Sequence, residues 1–250
     1  MADLARRESV RAPAEVLQPP GLPGVTRLIG KALGLVYRLT GKDRYDDFRL
    51  ERVLGLQFLV TPTVFNPKLP RTGAFFADFI ESHRLPTEAE VLDMGTGSGV
   101  CAIFAARQAR RVVAVDINAA AVRCARLNAA LNHVEHRIEV RHGDLFGPVA
   151  GERFDLIFFN PPFLRGVPRD DRDRAWRSND IAERFAAGVR DHLKPGGAAL
   201  VLLSSFGGAG PFLEEFRGQQ LVVSRVAERR FLTERLAIFR LEPPPGRGAA

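Results

Sequence analysis

From Ala89 onward, short apolar runs alternate with segments in which apolar residues recur at helical spacing. The runs are Val91–Met94, Arg111–Val115, Ile138–Arg141, Phe154–Phe159, Ala198–Leu203, Leu221–Val226 and Leu236–Leu241. The segments with helical spacing lie near Val100–Gln108, Ala119–Leu131, Asp180–Leu193 and Pro211–Arg217. Strands that alternate with helices predict an α/β fold, in which a mostly parallel sheet is covered by helices on both faces.

The last two predicted strands differ from the others because no helix-length segment separates them. The linker between them, Ala227–Thr233, is short and charged, so these strands are expected to pair as an antiparallel hairpin. The predicted domain, residues 89–242, is therefore Rossmann-like, with a mostly parallel seven-stranded sheet that ends in an antiparallel hairpin.

The chain before residue 89 has a less regular pattern. Residues 1–23 are rich in Pro, Arg and Ala, which predicts a disordered tail, and residues 24–88 are expected to form a helical and irregular extension. Its predicted parts are a helix from Val25 with one apolar and one basic stripe, an irregular segment over Thr40–Arg52, a short strand at Phe58–Val60 and a helix with Phe75, Phe76, Phe79 and Ile80 on its apolar side. Residues 243–250 are expected to fray.

Composition excludes some classes of protein. Hydrophobic residues make up 46% and charged residues 26% of the 250 residues, as in ordinary globular domains. No apolar run approaches the length of a membrane span and the N-terminus lacks a signal-peptide pattern, so a cytoplasmic protein is expected. Cys101 and Cys124 fall in predicted helices and are expected to be buried free thiols.

The net charge of +7 and the pI of about 10.2 have two interpretations. A basic protein favours polyanionic partners such as RNA, DNA or a ribonucleoprotein. Alternatively, the abundant arginine, alanine, glycine and proline reflect a general coding bias. The basic stripe of the helix predicted from Val25 also has two interpretations: it contacts a partner, or it is simply exposed to water.

A glycine-rich loop, Asp93–Gly99, connects the first predicted strand of the sheet to a predicted helix. Without Cβ atoms, its glycines let the backbone turn sharply and approach a ligand, and the helix N-terminus directs amide groups at that ligand. A dinucleotide-binding loop needs its third glycine at position 100, which is Val100. The spacing disfavours a dinucleotide but still predicts a nucleotide-like ligand, with candidate contacts at Asp93, Gly95, Thr96, Gly97 and Gly99.

Two acids follow the next two predicted strands. Asp116 ends the strand that starts at Arg111, where its carboxylate could accept hydrogen bonds from ribose hydroxyls or simply cap the next helix. Asp144 follows the third strand beside Gly143, a position that is also typical of a turn residue. The order of the glycine loop and the two acids at successive strand ends is more specific than any one of them.

The motif Asn160-Pro161-Pro162-Phe163 follows the buried strand Phe154–Phe159. The side-chain oxygen of Asn160 and the backbone carbonyl of Pro161 can both accept hydrogen bonds from an NH₂ group, which would orient a nitrogen whose lone pair is delocalised. The prolines keep the loop rigid, and Phe163 offers a flat face for stacking. These residue types suit a site that binds a planar NH₂ group, although a plain Pro-Pro turn at a strand end is the alternative.

Together these motifs resemble those of class I S-adenosylmethionine-dependent methyltransferases of the HemK/PrmC-like group, and are similar to the methyltransferase small domain of RsmC-type rRNA enzymes. The resemblance rests on the glycine loop, Asp116, Gly143-Asp144 and Asn160–Phe163. Weaker support comes from Thr61–Pro67 and from Leu193–Gly197, which is expected as the turn before the fifth strand. It implies S-adenosylmethionine as the cofactor, with Asp144 facing the adenine amino group and Leu145 packing on the ring. It also implies that Thr61–Pro67, within the extension, covers the cofactor.

The chain also departs from that group. No extended N-terminal helical bundle like that of bacterial HemK enzymes is predicted, and Arg71-Thr72 replaces an acidic-Thr pair. The insert Arg165–Trp176, in which Arg and Asp alternate, is expected at the cleft mouth, where it either contacts the substrate or lies in solvent. His133, His136 and His142 stand at a helix end and a strand end, and no metal site is predicted.

The sequence thus predicts an enzyme that methylates a planar nitrogen, with Asn160, Pro161 and Phe163 at the reaction centre and Asn160 also against the cofactor. The acceptor stays open between a glutamine of a release factor or ribosomal protein and an adenine or guanine amine of RNA or DNA. The alternative from another class is a non-catalytic module that binds RNA or protein. An NAD-dependent oxidoreductase is opposed by Val100 and by the Asn-Pro-Pro motif.

Overall fold

The computed structural model describes residues 48–62, 64, 71–162, 166–167, 177–205, 208–232 and 234–244. The predictions for the tail at residues 1–23, for the helix from Val25 and for residues 245–250 lie outside the described residues. The same holds for Phe163 and for nearly all of the insert Arg165–Trp176. Of the segment expected to cover the cofactor, Thr61, Pro62 and Val64 are described.

Two strands, β1 (Arg49–Val53) and β2 (Leu56–Val60), form an antiparallel hairpin. The strand predicted at Phe58–Val60 is confirmed, but the prediction of an irregular segment is wrong where β1 begins at Arg49. Leu54 and Gly55 both have positive φ, 46° and 89°, which suits a two-residue hairpin turn. β1 has no clear apolar period because most of its side chains are exposed or half-buried, so its strand conformation depends on pairing with β2.

Seven further strands form a second sheet: β3 (Glu90–Met94), β4 (Arg111–Asp116), β5 (Ile138–His142), β6 (Phe154–Phe159), β7 (Leu193–Ser204), β8 (Val222–Arg230) and β9 (Arg235–Glu242). Their order is β5-β4-β3-β6-β7-β9-β8. Strands β3 to β7 pair in parallel, and β9 pairs antiparallel with both β7 and β8. The predicted sheet and its terminal hairpin are confirmed.

Two strand bounds differ from the prediction by more than one residue. β7 begins at Leu193, which pairs with Phe154, and a register shift follows before Ala198 pairs with Leu156. The Lys-Pro-Gly-Gly segment expected as a turn is therefore an irregularity within a longer strand. β8 continues to Arg230, so most of the linker predicted at Ala227–Thr233 belongs to the antiparallel pair.

Among the described residues, five α-helices cover the sheet: α1 (Thr72–Ser82), α2 (Val100–Ala106), α3 (Ala119–Leu131), α4 (Ile181–Val189) and α5 (Gly210–Gly218). Helices α1 to α3 pack in the apolar core on one face, while α4 and α5 pack in the core on the other face. Phe76 of α1 and Phe158 of β6 lie with ring centroids 5.5 Å apart. Helix α1, which the prediction assigned to the extension, thus shares the core of the sheet. Within the described ranges, no helix is both long and apolar enough to cross a bilayer.

The parallel strands determine where the predicted site residues meet. Because β3, β4, β5 and β6 are parallel, their carboxyl ends lie at one edge of the sheet. The glycine loop follows β3, Asp116 ends β4, Asp144 comes after β5, and Asn160 follows β6. Cys101 and Cys124 are free and buried, as predicted.

Candidate functional site

A cavity of about 530 Å³ lies at the carboxyl edge of the parallel strands. Its volume is in the range of sites for small molecules and cofactors. The predicted site residues that line it are Asp93, Gly95, Thr96, Gly97, Asp116, Asp144, Leu145, Asn160, Pro161 and Pro162. The glycine loop and the Asn-Pro-Pro motif, which come from different strand ends, therefore face one cavity.

The glycine loop turns through three residues with positive φ: Gly95 at 66°, Gly97 at 57° and Gly99 at 85°. Residues with a Cβ rarely adopt this conformation. A Cβ on Gly99 would lie 3.2 Å from Ala125 of α3, and Gly99 is set back from the residues that line the cavity. Gly99 therefore packs closely against α3, whereas Gly95 and Gly97 line the cavity.

Asp93 supports the glycine loop from within the protein. Its buried carboxylate accepts hydrogen bonds from the Thr96 hydroxyl at 2.6 Å and from the backbone N–H of Ala102 at 3.0 Å. Burial raises the pKa of this carboxyl group to about 7, although the two hydrogen bonds oppose the shift. Asp93 therefore joins the loop to the first turn of α2, and its described donors belong to the protein itself.

Asp116 connects two loops at the cavity. Its carboxylate accepts hydrogen bonds from the backbone N–H of Gly97 and of Asn118, both at 2.8 Å. Burial raises its pKa, and these hydrogen bonds act in the opposite direction. Sequence alone left open whether Asp116 caps the next helix. In the structure Asn118 is the cap, because its side chain accepts a hydrogen bond from the backbone N–H of Ala120 at the start of α3.

Asp144 lies on a tight turn after β5. The turn has φ of 154° at Gly143 and 45° at Leu145, and a Cβ on Gly143 would meet Pro148 at 2.4 Å. The carboxylate of Asp144 forms an ion pair with Arg184 of α4, a residue that sequence reasoning missed. No motif marks Arg184, because only the packing of α4 beside the turn brings it to the cavity.

Asn160 has one satisfied and one unsatisfied side-chain atom. Its Nδ2 donates to the Thr72 hydroxyl at 3.3 Å, and Thr72 is fully buried at the start of α1. Its Oδ1 is buried, and no described residue donates a hydrogen bond to it. Buried polar atoms in folded proteins are nearly always paired, so Oδ1 is available for a group that enters the cavity.

The remaining walls come from segments without a recognisable motif. Val64 lines the cavity and packs against Ala121 and Cys124 of α3. Residues 177–181, before and at the start of α4, also line it. Within the described part of the chain, no group of three or more His, Cys, Asp or Glu residues is arranged to hold a metal ion.

The sheet order, the glycine loop and the motif after β6 together define the fold and site of a class I methyltransferase. The chain belongs to the methyltransferase small domain family, whose model matches residues 55–231. This membership confirms the resemblance found in the motifs, and with it the prediction of a methyltransferase at the level of the family.

Two of this chain's relatives have different assigned functions. The ribosomal RNA small subunit methyltransferase C of Alcanivorax borkumensis is 37% identical over 137 residues, which are 54% of this chain and 39% of that protein. The release factor glutamine methyltransferase of Koribacter versatilis is 36% identical over 159 residues, 57% of this chain and 56% of that protein. The aligned parts thus span about half the length of these relatives or less.

Solved structures confirm the fold. The 16S rRNA N2 G1207 methyltransferase of T. thermophilus, in complex with AdoMet and guanosine, superposes with a TM-score of 0.60 at 24% identity, covering 79% of this chain and 50% of that one. The M. jannaschii tRNA m1G37 methyltransferase superposes with a TM-score of 0.58 at 17% identity, covering 80% of this chain and 57% of that one.

Proposed function

We propose that this chain is an S-adenosylmethionine-dependent methyltransferase that acts on a planar nitrogen, either a protein glutamine amide or an exocyclic amine of a nucleobase. The observation that carries the proposal is Oδ1 of Asn160, a buried acceptor without a described donor on a residue that lines the cavity. Leaving such an atom unpaired costs about 1–3 kcal/mol. The NH₂ group of a bound acceptor molecule would pair it.

The residues around the cavity fit S-adenosylmethionine. Gly95 and Gly97 keep the loop backbone free of side chains, and Asp116 and Asp144 offer carboxylates for the ribose hydroxyls and the adenine amino group. Leu145 offers an apolar surface for the adenine ring. When bound, S-adenosylmethionine supplies an electrophilic methyl group on a sulfonium. Family membership supports this cofactor, and the glycine spacing disfavours a dinucleotide.

Asn160 and Pro161 would act on the acceptor nitrogen. Oδ1 of Asn160 and the backbone carbonyl of Pro161 each accept a hydrogen bond from the NH₂ group, which orients its lone pair and favours the pyramidal nitrogen of the transition state. Thr72 holds the Asn160 carboxamide through Nδ2. No strong base is needed before attack, because the nitrogen proton becomes acidic only after the N–C bond has formed. Phe163 is proposed to stack on the planar acceptor.

The acceptor molecule can be of either class within this proposal. A glutamine amide and a guanine or adenine amine share the planar NH₂ group that the Asn-Pro-Pro motif would recognise. The names of the relatives include both an rRNA enzyme and a release factor enzyme. The net charge of +7 favours RNA or a ribonucleoprotein, so we propose nucleic acid binding and action on cytoplasmic translation components.

Asn160→Ala tests the proposal. The variant should bind S-adenosylmethionine like the wild type in calorimetry, because other residues hold the cofactor. Transfer of tritiated methyl groups should fall by about 100-fold or more, since the amine is no longer oriented or polarised. The acceptors are fractions of a cell lysate separated into protein, rRNA, tRNA and DNA, so the wild-type reaction also identifies the class of substrate.

Asn132→Ala is the matched control. Asn132 also donates from its side chain, to the backbone carbonyl of Gln57 at 2.9 Å, but it lies outside the cavity, so methyl transfer should be unchanged. Wild-type turnover in Asn160→Ala would contradict the assigned role of Asn160. A wild-type protein that binds RNA or protein but not S-adenosylmethionine would instead support the non-catalytic module.

A further inference from the structure

Helix α4 brings a guanidinium group to the turn at the proposed adenine end of the cavity. The Nη2 atom of Arg184 donates to Oδ2 of Asp144 in an ion pair, and both residues line the cavity. Arg184 is also near Asp180, one helical turn earlier, with 3.8 Å between Nη1 and the nearer carboxylate oxygen. Asp180, at the start of α4, thus helps to position the guanidinium group, which also contacts the turn after β5.

The Asp144 carboxylate depends on this contact for its orientation. About 43% of its side-chain surface is exposed, and Arg184 is the one described side chain that donates to it. The backbone of the turn is constrained by the positive φ at Leu145 and by the close approach of Gly143 to Pro148. Those constraints fix the backbone of Asp144, but its carboxylate group can still rotate.

We propose that Arg184 is a positioning residue that selects a 6-aminopurine at this end of the cavity. Its guanidinium occupies one carboxylate oxygen of Asp144 and leaves the other directed at the 6-amino group, since a carboxylate can accept at both oxygens. This inference rests on the proposed function, because it requires the adenine of the cofactor to lie against Asp144. It adds Arg184 to the residues that recognise the adenine ring. It also predicts that the protein distinguishes a 6-aminopurine from a 6-oxopurine.

A purely structural role for the ion pair is the competing explanation. Both side chains are more than two-fifths exposed, and ion pairs this exposed add little to the stability of a fold. Helix α4 is already anchored by Phe185, which is fully buried and stacks on Phe146 and Phe159. The contact is therefore better explained by its position at the cavity than by a contribution to folding.

The chemistry of the purine edge gives a specific test. S-Adenosylhomocysteine carries a 6-amino donor, whereas S-inosylhomocysteine carries a 6-oxo acceptor that a fixed carboxylate repels. Arg184→Met keeps an unbranched apolar stem but removes the charge and the donors. In calorimetry it should weaken binding of S-adenosylhomocysteine about tenfold, as expected for one lost oriented hydrogen bond. Binding of S-inosylhomocysteine should change less than about twofold, so the preference for adenine falls.

Two further variants distinguish a positioning role of Arg184 from a general disturbance of the structure. Arg184→Lys retains a cationic donor and should recover most of the affinity, while Arg190→Met, an exposed arginine just beyond α4, should bind both compounds like the wild type. In an Asp144→Asn background, Arg184→Met should add almost no further loss, because Arg184 acts through Asp144.

The outcomes also separate this inference from the proposed function. Unchanged or tighter binding of S-adenosylhomocysteine by Arg184→Met would overturn the inference and leave the proposed function standing. Equal losses for both compounds would overturn it as well, since a general structural defect would explain them. A wild-type protein that binds neither compound would overturn both proposals.

Discussion

At the scale of single residues, two kinds of polar side chain line the cavity. Asp93 accepts hydrogen bonds from Thr96 and Ala102, so its described partners lie within the fold. Asn160 uses only its Nδ2, toward Thr72, and Oδ1 has no described donor. A polar atom satisfied by the protein supports structure, whereas one left unsatisfied at a cavity indicates ligand binding. This contrast supports a structural role for Asp93 and the proposed role of Asn160 at the acceptor nitrogen.

The raised pKa of Asp93 makes stability depend on pH. Its pKa rises from 3.8 to about 7 on folding because the carboxyl group is buried. Between these values the folded state retains a proton that the unfolded state has lost, so the free energy of unfolding falls as pH rises. The slope is up to about 1.4 kcal/mol per pH unit, and the loss is complete above pH 7.

Asp93→Asn keeps a side-chain acceptor but cannot titrate. Urea unfolding of both proteins across this pH range isolates Asp93, because the other ionisable groups are common to both. The variant should gain stability relative to the wild type as pH rises from about 4 to about 7, and the difference should then stay constant. A difference that does not vary with pH would show that Asp93 is ionised in the folded protein.

At the scale of elements, the buried side chain of Asn128 holds the β1–β2 hairpin against the main domain. Oδ1 of Asn128, on α3, accepts from the backbone N–H of Leu59 at 2.7 Å. Its Nδ2 donates to the carbonyl oxygens of Leu59 and of Ser98, each at 2.9 Å. Since Ser98 belongs to the glycine loop, the same residue links the hairpin to the proposed cofactor site.

Asn128→Leu should therefore damage both stability and cofactor binding. It removes three hydrogen bonds to backbone groups, so the free energy of unfolding should fall by about 2–4 kcal/mol, and binding of S-adenosylhomocysteine should weaken. Urea unfolding and calorimetry measure the two effects. Asn132→Ala breaks an exposed contact to the same hairpin and should cost less than about 1 kcal/mol. Equal losses in the free energy of unfolding for the two variants would contradict the role of Asn128 in holding the hairpin.

The elements differ in how well sequence predicts them, for a physical reason. Strands β3, β4 and β6 are buried on both faces, so continuous apolar runs identify them. Strand β1 is partly exposed, with Leu50 at 61%, and its conformation comes from pairing with β2. The start of β7 at Leu193 was missed because Pro195 and two glycines predict a turn, whereas pairing with Phe154 makes it part of a strand.

At the scale of the whole molecule, the part of the site built from local motifs was predictable, because a topological rule determines where those motifs lie. Parallel strands present their carboxyl ends at one edge, so the glycine loop and the Asn-Pro-Pro motif had to converge once the strands were identified. Thr72 and Arg184 come from helices whose positions depend on packing across the sheet. Their contacts with Asn160 and Asp144 follow from tertiary structure, which single-sequence patterns do not encode.

The net charge of +7 leads to a prediction about the class of substrate. If RNA is the acceptor, each phosphate contact adds about −0.7 to −0.9 to the slope of log affinity against log salt. Three contacts would then weaken binding of an RNA hairpin by roughly 20- to 40-fold between 50 and 200 mM salt. Fluorescence anisotropy measures this directly, and a glutamine-containing peptide is the control, whose binding should depend little on salt. A salt-independent affinity for RNA, or tight binding of the peptide alone, would favour a protein glutamine as the acceptor, because a phosphate backbone cannot be held without releasing counterions.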